Sequence, residues 1–160
     1  MISTINIMSQ TLKASWLPKL TNGWFFKAET FFSVARYLDS VSSPRADFLS
    51  YSHGEGFLRF FEERCTRQGI YIFDEPESAL SPSRQVEFLK LLRRMDTSGI
   101  CQIVMATHSP LLMAYPGARL LLLSKNGLEP VALDQTDHFR MMHEFCADPV
   151  TFVGRALEES

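Results

Sequence analysis

The chain has 160 residues, 46% of them hydrophobic and 21% charged, and a formal net charge of −2. That length and apolar content predict one domain over 1–160 with a real core, and exclude a disordered chain. The charge balance gives no support to nucleic-acid contact by overall electrostatics, and no apolar run reaches the length of a membrane span, so no membrane association is expected.

Polar residues interrupt the first twenty or so positions throughout, so no secretory signal is read there, and Pro18 discourages a continuous helix. Cys65, Cys101 and Cys146 are odd in number and lack a CxxC pair. They read as reduced, mostly buried thiols of a cytoplasmic protein, not as a metal site. Trp24–Phe26, Ala28, Phe31, Phe32, Ala35 and Leu38 recur at helical spacing through Asp39, which predicts a helix with an aromatic core stripe. Ser42–Pro44 breaks the pattern. Ser52 then stands three residues before Glu55 at capping-box spacing, ahead of an apolar-periodic run, Phe57, Leu58, Phe60 and Phe61. The free N–H groups and dipole of that helix start suit an anion.

The chain is organised around Gly69–Leu80, GIYIFDEPESAL. Ile70 to Phe73 form a short apolar run that predicts a buried, parallel strand. Pro76 cannot donate to a ladder, so the strand stops near Glu75. Asp74 and Glu75 are thereby expected at the carboxyl end of a central strand, where open α/β sheets place their ligands. Two adjacent carboxylates at a dry strand end call for a cation or a proton, and Mg²⁺ with a phosphate-bearing substrate is the natural candidate. Ser81 and Pro82 cap the next helix. Its apolar face is predicted to carry Val86, Phe88, Leu89, Leu91, Leu92 and Met95, and Thr97–Gly99 ends it.

Gln102–Ala106 reads as a second buried strand, ending in Thr107-His108-Ser109-Pro110. A right-handed crossover makes the two strands parallel and puts His108 beside Glu75. Arg119–Leu123 reads as a third strand, Asn126-Gly127 as a hairpin turn, and Glu129–Leu133 as a short edge strand. From Thr136 the pattern is helical, with Phe139, Met142 and Phe145, a break at Pro149 and a last short helix. Arg140–His143 reads as a packing element. Taken singly, each motif also fits a plain role: a turn after a strand, a helix cap, a capped turn histidine. Their order and intervals together carry more.

The stretch Ile70–Leu80 resembles the Walker B segment of ABC-type ATPases. Over roughly residues 23–123 the chain is similar to stand-alone, non-transporter ATPases of the AAA/ABC class, related to SMC-type heads. The resemblance implies an α/β, P-loop NTPase-type fold with a mainly parallel sheet flanked by helices. Within it, 23–65 would form a helical signature segment, fed by GWFFKAETFFSVARYLD, 66–133 the sheet core and 134–160 the C-terminal helices. It implies ATP and Mg²⁺ as cofactors, with Asp74 holding the metal through water and Glu75 polarising the attacking water. Thr107-His108-Ser109-Pro110 looks like the switch motif, whose histidine meets the γ-phosphate. Ser52-His53-Gly54-Glu55 is similar to the signature loop, which would offer Ser52, Gly54 and Glu55 to nucleotide on the other subunit of a head-to-tail dimer. His53 departs from the usual small residue, and Ser81 stands where the family has Asp.

No GxxxxGK[ST] occurs in the sequence, which has eight glycines. In the family that loop, the adenine-contacting region and the glutamine loop lie upstream of the signature. The expectation is therefore an ATP-hydrolysing core that is incomplete as a single chain, completed as a homodimer or by a partner chain supplying the P-loop. Without the P-loop strand, the sheet would carry a gap lined by Ile103–Met105 and Leu120–Leu122. The alternative is a non-catalytic interaction module that docks on a complete ATPase or nuclease partner.

Overall fold

The computed structural model describes residues 22–30, 33 and 53–158, with the backbone alone for 53–55. Three strands, β1 (Gly23–Lys27), β2 (Gly69–Asp74) and β3 (Cys101–Ala106), form a parallel sheet in the order β1-β2-β3. The sheet is flanked by helices, so the expected α/β architecture holds, with β2 at its centre. Between these strands the chain forms α1 (His53–Arg64) and α2 (Pro82–Thr97).

β1 corrects the sequence reading, which began a helix at Trp24. The strand pairs with β2 over Gly23↔Ile70 to Lys27↔Asp74, and helix is reached only at 28–30. Most of the expected 24–39 helix lies outside the described residues. Trp-Phe-Phe suits a pleated surface as well as a helix face, and long-range pairing decides between them. Two glycines allow that pairing. A Cβ on Gly23 would stand 2.5 Å from the Ile70 carbonyl oxygen, and one on Gly69 would stand 2.6 Å from that of Asn22.

The core lies on one face of the sheet. α1 lays Phe57, Phe60 and Phe61 over Phe26 and Phe73, while α2 adds Phe88, Leu91, Leu92 and Met95. Phe61 is fully buried and meets Phe26 and Phe57 edge-on at 4.3 Å, with Phe73 at 5.2 Å. Such edge-to-face pairs add about 0.5–1.5 kcal/mol each beyond area burial, so these rings set how helix and sheet dock. The opposite face is open among the described residues. Phe25, Ile72 and Val104 form one rung across the three strands and are 63%, 38% and 48% exposed. β2 and β3, read as strands buried on both sides, are thus covered on one.

α2 starts as predicted. Ser81 Oγ accepts the Arg84 N–H, Pro82 opens the first turn, and Gly99 beyond its end has φ 66°. Its buried face differs in one place: Val86 is 44% exposed, and Gln85 takes the inward position. A short helix, α3 (Pro110–Met113), follows β3. The stretch read as a third strand instead makes β4 (Leu121–Ser124), which pairs antiparallel with β5 (Gly127–Pro130) as a separate hairpin. No ladder joins β3 to β4 among the described residues, because the two-residue turn Lys125-Asn126 offers β4 a nearer partner than β3. The returning strand lies earlier than Glu129–Leu133, and Leu133–Gln135 is a short 3₁₀ turn.

α4 (Asp137–Ala147) and α5 (Pro149–Glu158) complete the chain, broken at Pro149 as expected. Among the described residues no helix is long and apolar enough to cross a membrane. Cys65 and Cys101 are half-buried, but Cys146 of α4 is exposed, contrary to the reading of mostly buried thiols.

Candidate functional site

The parallel register brings the carboxyl ends of three strands to one edge. The last rung is Lys27, Asp74 and Ala106, so Asp74 sits beside a lysine that the sequence reading had placed in a helix. Glu75 follows directly. Its N–H donates to the Ala106 carbonyl at 2.9 Å, which holds the strand ends together one residue beyond the ladder. Its backbone then turns into the left-handed region at φ 47°, ψ 53°, the sole non-glycine to do so among the described residues. A non-glycine held there costs about 1–3 kcal/mol and persists only where its surroundings impose it. Here Pro76 is buried, and the Ser78 N–H and hydroxyl both donate to the Glu75 carbonyl, at 3.1 and 2.6 Å.

Asp74, Glu75 and Ser78 line a cavity of about 50 Å³ with Lys27, Ala28 and Glu29. Carboxylate and hydroxyl oxygens are hard donors, the kind that Mg²⁺ takes from one or two carboxylates, the remainder coming from water and substrate phosphate. The donor set therefore fits a small divalent cation. No cluster of three His, Cys, Asp or Glu side chains able to hold a metal occurs among the described residues. Lys27 Nζ lies 3.1 Å from Glu29 Oε2, and that bond holds its ammonium above its ordinary pKa, with Asp74 and Glu75 adding in the same direction. The edge thus carries its own counter-charge.

β3 delivers His108 to the same place. Its Nε2 lies 3.4 Å from Glu75 Oε1, with both side chains more than half exposed. The structure thus brings together Asp74, Glu75 and His108. Ser52 lies outside the described residues. Gly54 and Glu55 fall in the first turn of α1, where the sequence reading put the helix start.

Several residues at this edge were missed from sequence. The Glu77 carboxylate accepts the His108 backbone N–H at 2.6 Å and the Thr107 hydroxyl at 2.8 Å, tying the turn after β2 to the loop after β3. Gln85 is buried; its Nε2 donates to the Leu80 carbonyl at 3.2 Å and its Oε1 accepts from the Ser109 hydroxyl at 2.6 Å. Ser109 caps α3 by accepting the Leu112 N–H. On the outer side, His138 of α4 stacks on His108 with ring centroids 4.8 Å apart. Only a polar residue on an apolar helix face, Gln85, left a trace in the sequence; the others required knowing which loops meet.

A family model described as "AAA domain, putative AbiEii toxin, Type IV TA system" matches residues 31–114. That span includes Ser52, Asp74, Glu75 and His108. Among curated proteins, the chain is similar to one named OLD nuclease from Thermus scotoductus (strain ATCC 700910 / SA-01), at 38% identity over 56 residues. The match covers 35% of this chain and spans 11% of the length of that relative.

Proposed function

This chain belongs to the AAA-domain family matched over residues 31–114, and from that membership we propose that it forms the metal-and-water half of an ATP-hydrolysing core of the ABC class, related to SMC-type heads. The observation that carries the proposal is the 3.4 Å approach of His108 to Glu75 at the ends of adjacent parallel strands. A general base and a phosphate-directed donor at one sheet edge, next to a strand-end aspartate, are the parts that phosphoryl transfer to water requires.

In this reading Asp74, the Walker B aspartate, would hold Mg²⁺, with the Ser78 hydroxyl beside it. When bound, the ion neutralises charge developing on the phosphate oxygens. Glu75 orients the attacking water and takes its proton. His108 turns Nε2–H from Glu75 to the γ-phosphate, so the two residues exchange partners as the nucleotide arrives. Lys27 neutralises the acidic edge while the metal is absent. Ser52, Gly54 and Glu55 would serve as the signature for nucleotide held by the other subunit of a head-to-tail homodimer, and the start of α1 suits that anion. The phosphate-cradling loop comes from another segment or partner chain, and the protein works in the cytoplasm.

Mg²⁺-dependent phosphate release from ATP by the full chain, beside Glu75→Gln, tests this assignment, with Mn²⁺ binding to the chain and to Asp74→Asn read by electron paramagnetic resonance. Turnover lost in Glu75→Gln assigns the base. Equal background release in both, with Mn²⁺ binding indifferent to Asp74→Asn, refutes the site. A second reading is favoured by the open apolar rung Phe25, Ile72 and Val104: a non-catalytic module docking on a complete ATPase or nuclease. It predicts no turnover even when a P-loop-bearing partner chain is supplied, but Mn²⁺ binding that depends on Asp74.

A further inference from the structure

His108 lies between two partners from different parts of the chain. On one side is the Glu75 carboxylate. On the other is the His138 imidazole, 4.8 Å away between centroids and tilted by 32°. The sequence reading assigned His138 no role; it stands thirty residues past the motif. Its position is nevertheless well anchored. Thr136, buried just before α4, accepts the Phe139 N–H and donates its hydroxyl to the Leu133 carbonyl at 2.7 Å. The charges beside His138 are engaged with one another, since Arg140 pairs with Asp137. α4 also packs against α3, the helix that follows His108.

We propose that His138 is a positioning residue for His108, holding the imidazole in the one orientation that keeps Nε2 at Glu75. The His108 side chain is 64% exposed, and a side chain so open to solvent samples several rotamers unless a neighbour restricts it. Its backbone N–H is fixed by Glu77, which sets where the residue starts but not where the ring points. The one ring packed against it among the described residues is that of His138, at a centroid separation within the range of about 4.5–7 Å typical of aromatic pairs. A His108 ring that turns from Glu75 must therefore break the stack or carry His138 with it. In this way α4 is tied to the state of the site. The ring pairing stands on geometry alone; its service to a γ-phosphate rests on the function proposed above.

Histidine-labelled nuclear magnetic resonance of the full chain reads the pairing directly, in the wild type, His138→Ala, His138→Phe and Glu75→Gln. Expected in His138→Ala is loss of the ring-current displacement of the His108 ring protons. Their contacts to the Glu75 methylenes should weaken, while the β2 and β3 amides stay in place. His138→Phe, which keeps a flat ring of similar footprint, restores both. His108 signals and contacts unchanged in His138→Ala overturn the proposal, as does failure of His138→Phe to restore them while the fold is retained. Phosphate release is measured on the same samples. Its absence from a wild type whose ring pair is intact, even with a P-loop-bearing partner chain supplied, counts against the ATP reading and leaves the positioning role standing.

Discussion

Replacing Glu77 tests how the site is held together. Its carboxylate accepts from the Thr107 hydroxyl at 2.8 Å and the His108 N–H at 2.6 Å, the side-chain bonds that connect the turn after β2 to the loop after β3. A hydrogen bond to a charged group contributes about 1.5–3 kcal/mol, so removing both in Glu77→Ala would cost up to about 6. Glu77 is only half-buried and water can reach the freed donors, which brings the expected loss to about 2–4 kcal/mol. Glu77→Gln keeps the shape. Its amide oxygen can take the His108 N–H, and its NH₂ can donate to Thr107 Oγ1, which already accepts the Ser109 N–H at 3.1 Å. Only the charge assistance is lost, about 1 kcal/mol. Urea unfolding of the full chain gives both numbers from the midpoint shift at constant slope. Equal losses for Ala and Gln, or an Ala loss within the ±0.5 kcal/mol of an ordinary surface change, would refute the clamp.

Gly69→Ala should cost about 1–3 kcal/mol in the same assay, because its Cβ would stand 2.6 Å from the Asn22 carbonyl oxygen and push β1 off β2. Gly154→Ala in α5, where the added carbon meets nothing within 4 Å, should instead stabilise by up to about 1 kcal/mol; a destabilised Gly154→Ala would contradict the open surface there. Burial, with Cys101 adding, pushes the Cys65 thiol up from 9.0 to about 12. A group raised in the folded state contributes stability that is complete below its unfolded value, so stability should fall as pH rises from 9 toward 12, and less steeply in Cys65→Ala. An alkylating agent at pH 8 should label Cys146 first; Cys65 reacting as fast would mean that the thiol is open to solvent.

Much of the site was legible because it is written in short, local patterns. Ile70–Phe73 followed by Asp-Glu-Pro reads as a strand that ends at its acids, and Ser81-Pro82 as the start of the next helix. Once β2 and β3 are parallel neighbours joined through α2, their carboxyl ends share one edge and His108 comes to Glu75. The Gln102–Ala106 strand was legible in its bounds but not in its exposure, since an apolar run does not say what covers its second face.

Sequence alone determined β2, α2, β3 and the meeting of Glu75 with His108, because each depends on local periodicity, a cap or a fixed crossover hand. Tertiary structure alone decided the rest. Trp24-Phe25-Phe26 fits a helix stripe or a strand equally well, and only pairing with Ile70–Phe73, more than forty residues away, makes it β1 and brings Lys27 to Asp74. Leu121–Ser124 fits a third parallel strand, yet a two-residue turn gives it a hairpin partner first. Glu77, Gln85 and His138 are ordinary polar residues until distant loops converge on them. Their roles come from contacts between segments, and no pattern within a segment encodes which segments will meet.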